Sequence, residues 1–182
     1  MNITLTFIFN WHFGKTPLEE DISLSQRVES SYQIYIPMAQ TYEVEIDFSK
    51  INKSAEVIES TFGTIIQPKT KSSQIRLLWE IEKDGEIVQS YATSTNESSA
   101  WSSKSITMRF GRFKVPAGSY NFTLKVLDSP EEYNDFETTL IILYNLNNAH
   151  TWQTYYMFFG MLFNMFVAPI IGGFILLRFL VG

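Results

Sequence analysis

Residues 105–128 read SITMRFGRFKVPAGSYNFTLKVLD. Ile106, Met108 and Phe110 alternate with Thr107 and Arg109, the period of two expected of a strand with one buried face. After Gly111 the parity changes, with Phe113 and Val115 carrying the apolar positions, and a glycine at such a break predicts a β-bulge. Val115-Pro116-Ala117-Gly118-Ser119 is a tight turn. Tyr120, Phe122, Leu124 and Val126 then alternate against Asn121, Thr123, Lys125 and Leu127. Two long alternating runs joined by a short turn make an antiparallel pair, and the rest of the chain repeats that grammar.

Tyr32, Ile34 and Ile36 alternate ahead of Pro37, and Tyr42, Val44, Ile46 and Phe48 alternate against Thr41, Glu43, Glu45 and Asp47, the cleanest one-face-buried pattern. Ile75, Leu77, Trp79 and Ile81 form another run, closed by Lys83-Asp84-Gly85 and answered by Ile87 to Tyr91. Asp-Gly between two such runs is a hairpin signal, because both turn residues take positive φ. Phe62 to Gln67 reads as a further strand and Phe136 to Tyr144 as the last. Residues 14–30 and 49–60 read as connections, each with room for a short helical piece, and residues 93–104 as an exposed loop. At the start, Leu5, Phe7, Phe9, Trp11 and Phe13 alternate with mostly polar residues. With no basic segment ahead of it and no small-residue cleavage site after it, this stretch reads as a strand rather than a signal peptide.

Eight or nine short strands with almost no helical periodicity predict an all-β antiparallel sandwich. The closing stretch resembles the late strands of immunoglobulin-like and fibronectin-like domains, with Gly118-x-Tyr120-x-Phe122 at the matching turn. The resemblance implies a turn-plus-tyrosine corner there and a buried tryptophan at Trp79; the cysteines of antibody domains are absent. The wider profile, an IP-x-x-x-x-Y strand, a Lys-Asp-Gly hairpin and a Pro-x-Gly-x-Tyr finish, looks like an uncharacterised bacterial envelope-associated domain family. Such a family implies no activity.

From Thr151 the sequence changes: TWQTYYMFFGMLFNMFVAPIIGGFILLRFLVG. Past Tyr155 only Asn164 and Arg178 are strongly polar, and about 20 apolar residues suffice to cross a bilayer. Trp152, Tyr155 and Tyr156 suit an interfacial belt, and Arg178 lies where it reaches the opposite headgroups. The expectation is therefore a sandwich over 1–148, with loops 14–30 and 49–60, followed by an interfacial link and a single transmembrane helix over 149–182. Asn164, Gly172 and Gly173 are the residues that would meet a partner helix. The lone Arg178 places the C-terminus in the cytoplasm and the β domain outside a bacterial inner membrane. The missing signal peptide argues for the opposite orientation, and the extracytoplasmic one is taken.

The net charge of −5 and the absence of any Lys/Arg cluster exclude a nucleic-acid surface. The absence of cysteine removes disulfides, thiolate metal sites and a thiol nucleophile together. Four sequons, at Asn2, Asn52, Asn96 and Asn121, are what a chain rich in Asn, Ser and Thr carries by chance. His12 and His150 stand far apart with no acidic or histidine neighbour at ligand spacing, and no hydrolase elbow, P-loop or dinucleotide turn is present. Asp128, Glu131, Glu132 and Asp135 cluster before the last strand as either a solvated loop or a calcium candidate, without the spacing of an EF-hand. Trp101, flanked by serines, is either a contact ring or folds back over the sandwich edge.

No cofactor and no catalytic residue are assigned. The functional expectation is a non-enzymatic, membrane-anchored interaction module. It would have the lipid bilayer and another membrane or envelope protein as partners, as an accessory subunit or an immunity-type protein. The alternatives are a small-ligand or carbohydrate-binding sandwich with aromatic rings on the ligand, and a hydrolase using dispersed carboxylates.

Overall fold

Asp84 and Gly85, at φ 55° and 86°, reverse the chain between two long strands, as the Asp-Gly pair requires. In the structure, a computed structural model, residues 16–25, 28–64, 74–95 and 98–144 are described, with 159–160, 162–167, 169–171 and 178 of the C-terminal stretch. The chain divides into two compact units, residues 16–145 and residues 1–15 with 146–182. The first carries the strands β1 (Leu18–Ile22), β2 (Glu29–Ile36), β3 (Thr41–Ser49), β4 (Ile75–Lys83), β5 (Glu86–Thr95), β6 (Ser98–Trp101), β7 (Ser105–Lys114), β8 (Gly118–Asp128) and β9 (Thr138–Tyr144). They form a five-stranded sheet, β1-β9-β3-β7-β6, and a four-stranded sheet, β2-β8-β4-β5. The described pairings are antiparallel.

Inward side chains of both sheets make the core, with Trp79, Tyr42, Phe48, Phe110 and Phe122 fully buried. Trp79 holds the layers together. Its ring stacks on Phe122 of its own sheet at 6.2 Å, while Nε1 donates across the core to the Phe110 carbonyl of β7 at 3.1 Å. That carbonyl is available because of the bulge. Val44 pairs with Gly111 and Glu45 with Arg109, so Phe110 is an extra residue on β7. Gly111 sits at φ 145°, and a Cβ there would lie 3.0 Å from Trp79 Cζ2 and 3.2 Å from Tyr91 Cδ1. Only glycine fits both the conformation and the space.

Near the bulge, two tyrosines tie Pro-containing turns to the strands that follow them. Tyr42 Oη donates to the Met38 carbonyl at 3.1 Å and Tyr120 Oη to the Pro116 carbonyl at 2.9 Å. The terminal strands depart from the immunoglobulin arrangement, in which the last strand lies beside its predecessor. Here β9 leaves β8 and pairs with β3 in the other sheet, while β2 takes the place beside β8. The likeness therefore extends to the two-sheet architecture and not to strand order.

Three local expectations change. Residues 93–104, read as a loop, carry the end of β5 and the short strand β6. Residues 18–22, read as connection, form β1. Its three acidic residues hide a strand that is held by backbone pairing to β9 and anchored by buried Leu18. The 49–60 connection uses its room for a helical piece, leading into helix α1 (Ala55–Phe62), capped by Ser54 Oγ accepting from the Val57 N–H. Phe62 ends that helix instead of starting a strand; residues 65–67 lie outside the described residues.

The transmembrane expectation is overturned. Among the described residues no helix is long and apolar enough to cross a membrane. Phe163–Val167, carrying Asn164, is π-helical, with wider hydrogen-bonded rings than an α-helical span. Residue 162 before it and residues 169–171 beyond it are α-helical. The rest of the expected helix over 149–182, including Trp152, Gly172 and Gly173, lies outside the described residues, as does the expected first strand. With the span go the lipid bilayer as partner, the bacterial inner-membrane location with its extracytoplasmic side, and the membrane-anchored envelope family.

Gly111→Ala is expected to destabilise the fold by about 1–3 kcal/mol, from strain plus displacement of Trp79. Gly85→Ala, at positive φ but with nothing within 4 Å, should cost about 1 kcal/mol. Urea unfolding followed by tryptophan fluorescence measures both.

Candidate functional site

The bulge that serves Trp79 also arms the outer face of the five-stranded sheet. Arg109 and Arg112 are three apart and would point to opposite faces of a regular strand. With Phe110 extruded, they stand opposite Glu45 and Glu43 on one face of β3. Arg112 Nε meets Glu43 Oε1 at 2.7 Å, Arg109 Nη2 meets Glu43 Oε2 at 3.0 Å, and Arg109 Nε meets Glu45 Oε1 at 3.1 Å. Asp47, next along the ladder, accepts from Ser105 Oγ and Thr107 Oγ1. Glu43 is 2% exposed although it points outward from the sheet, so β3 is buried on both faces rather than one. Burial raises the Glu45 carboxyl above its ordinary value, against the lowering effect of Arg109 and with the help of Glu43 and Asp47. The carboxylates are engaged by guanidinium and hydroxyl donors, which suits holding a sheet together rather than proton transfer.

The loop end of the sandwich gathers residues 23–25, α1, 102–104 and 129–137. Phe62 of α1 is the hub of an aromatic cluster, 5.2 Å from Phe48, 5.1 Å from Phe136 and 5.5 Å from Tyr133 by ring centroids. Trp101 belongs to it. Its ring stands edge-on to Phe62 at 6.5 Å, its Nε1 donates to Ser98 Oγ, and Lys50 Nζ lies 5.9 Å from its centroid. Trp101 therefore folds back over the sandwich edge. A cavity of about 590 Å³ opens beside the cluster, with Asp21, Ser49, Asn134 and Glu137 around Tyr133 and Phe136. Those two rings are 1% and 5% exposed, and burial, with Glu132 nearby, pushes the Tyr133 phenol up to about 12. The rings are core, and present no face on which a sugar could stack.

The acidic stretch is spread along the same end. Asp128 closes β8, Glu131 and Glu132 lie in a 3₁₀ turn that ends at Tyr133, and Asp135 follows it. Among the described residues no three His, Asp or Glu side chains converge as metal ligands, so these four do not assemble a calcium site. His12 and His150 lie outside the described residues.

β5, read as the return arm of a hairpin, carries an exposure that the sequence reading missed. It is the edge of the four-stranded sheet, and it leaves Ile87 60%, Val88 50% and Tyr91 48% exposed. The register with β4 slips so that Ile81 pairs with Gln89 and Glu82 with Ile87, leaving Val88 extra. This second bulge turns both aliphatic side chains outward. The available signal was Ile87-Val88, two adjacent aliphatics in a run read only as the return arm of a hairpin. On the other edge of this sheet, exposed Tyr35 borders a shallow groove of about 510 Å³, shared with Gln33, Asn121, Glu82 and Lys83.

No family model and no curated protein matches the chain. Among solved structures, the crystal structure of a protein from Sulfurospirillum deleyianum is similar. It has a TM-score of 0.53 and 13% identity, and the match covers 72% of this chain and 98% of that one. At that identity the likeness concerns the fold alone.

Arg109→Ala removes a partner from both Glu43 and Glu45 and should cost about 1–3 kcal/mol. Because folded Glu45 keeps its proton to higher pH than the unfolded chain does, its contribution to stability falls as pH rises from the ordinary carboxylate value through the raised one. Glu45→Gln should flatten that part of the stability–pH curve, measured by urea unfolding across the acid range.

Proposed function

We propose that residues 16–145 act as a non-enzymatic protein-interaction module whose contact surface is the edge of β5. The observation that carries this is the exposure of Ile87, Val88 and Tyr91 on one edge strand. An exposed apolar strand edge offers a partner both desolvation and unpaired backbone groups. The other described surfaces support binding chemistry less well: the loop-end aromatics are buried in the core, and the carboxylates of β3 are engaged by arginines, serine and threonine. The small-ligand alternative loses its stacking rings at the loop-end cavity by the same burial.

A photo-crosslinking benzoylphenylalanine replacing Val88, in the native host, should give one discrete protein adduct. A second crosslinker replacing Glu56 on α1 should not give it, and adding Ile87→Lys should abolish it. No adduct at position 88, or the same adducts at both positions, contradicts the reading.

A further inference from the structure

Between β5 and β7 the sandwich leaves a groove of about 430 Å³, lined by Tyr91, Thr93, Arg109, Phe110, Gly111 and Arg112. Both of its walls are strand edges. β6 pairs with β7 only as far as Met108, so from Arg109 to Lys114 that side of β7 has no partner among the described strands. β5 keeps an unbroken register with β4 from Gln89 to Thr95, and no described strand pairs with its other side. Main-chain donors and acceptors along both walls suit an extended segment better than a helix or a compact ligand. The groove also has a sign. β7 carries Arg109, Arg112 and Lys114 and no acidic residue, and the one charge of β5, Glu86, stands outside the groove lining. Glu43 and Glu45 balance the two arginines, but they lie beneath them: their side chains are 2% and 11% exposed, against 35% for Arg109 and 48% for Arg112. A visiting group therefore meets guanidinium before it meets carboxylate. The ion pairs engage Nε and Nη2 of Arg109 and Nε of Arg112. A guanidinium has five N–H donors, so both arginines keep donors for a further acceptor.

We propose that the partner of the β5 edge is an acidic, extended peptide segment of another protein. It lies along Gln89–Thr95 and sets a Glu or Asp carboxylate on Arg112 and Arg109. The proposal rests on the interaction reading above and names the partner's chemistry. The ladder stops at the bulge, where exposed Ile87 and Val88 take an apolar residue of the same segment. Val88 lies three residues from Tyr91, about 10 Å along a strand, so the apolar and acidic positions of the segment stand about three residues apart. A basic segment is repelled by the two guanidiniums, and a neutral one brings them no charged acceptor. β5 of a second copy brings none either, since its only acidic residue is Glu86. The net charge of −5 on each copy further opposes self-association.

The full chain carries the test, in whatever medium keeps it dispersed, with benzoylphenylalanine replacing Val88. It is irradiated with three fluorescein-labelled octapeptides: (Val-Glu)4, (Val-Gln)4 and (Val-Lys)4. At physiological salt (Val-Glu)4 should label the chain about tenfold more than either of the others. That preference should shrink at about 1 M salt, where surface charges are screened. Arg112→Gln should abolish it with a wild-type far-UV spectrum, because Arg109 continues to hold Glu43, and Arg112→Lys, which keeps the charge, should restore it. In the native host, Arg112→Gln should remove the adduct at position 88. Equal labelling by the three peptides, labelling by none, or a preference indifferent to Arg112 overturns the acidic partner. A host adduct that proves to be a second copy of this chain also overturns it. In each of these cases a discrete host adduct at position 88 leaves the interaction reading standing, and no host adduct removes both.

Discussion

Phe110 is one residue more than β3 can pair with, and the fold depends on what that surplus does. The extra residue turns its carbonyl toward the core, where Trp79 Nε1 takes it, joining the two sheets by a buried hydrogen bond. The same insertion changes the parity of β7, so Phe113 still faces the core and both Arg109 and Arg112 face out. Those arginines are the counter-charges that let Glu43 and Glu45 sit buried on a central strand, where an unpaired carboxylate would be strongly destabilising. Gly111 permits all of this, since a Cβ would meet Trp79 on one side and Tyr91 on the other. A chain without cysteine thus links its layers through an indole and a glycine rather than a disulfide.

That arrangement also bears on the surface. Tyr91 packs against Trp79 at 5.5 Å yet stays half exposed, so it belongs at once to the core and to the edge of β5. The β5 backbone is thereby fixed beside the Trp79 junction, and the slip at Val88 turns its aliphatic side chains to solvent. The edge is a rigid element held by the core, the kind of support a binding surface requires. The loop end, by contrast, spends its aromatic rings internally: Phe48, Phe62, Tyr133 and Phe136 pack on one another under α1.

Much of the fold was legible because strand period and turn chemistry are local. The Asp84-Gly85 hairpin, the Gly111 bulge and the turn before Tyr120 were readable from neighbouring residues alone. β1 was not, since Glu19, Glu20 and Asp21 hide a strand that pairs with β9, more than a hundred residues away. The Arg–Glu ladder follows the same rule: its partners lie on β3 and β7, and only the bulge brings them opposite each other. For Trp101 the polar serine neighbours leave both a contact ring and a ring folded over the edge open, and only the distant α1 supplies the Phe62 it packs on. The long apolar run at 151–182 shows the limit of composition. Length and hydropathy suggested a span, and among the described residues no helix is long and apolar enough to be one.

The role of the junction is open to a direct measurement. Trp79→Phe, Gly111→Ala and the double variant form a cycle of urea-unfolding free energies. If the bulge exists to serve the cross-sheet bond, the costs are strongly non-additive, with a coupling of about 1 kcal/mol or more. Once the indole is shortened, the added methyl has less to displace. Costs that simply add, within about 0.5 kcal/mol, would show that glycine and indole act independently and would contradict the account.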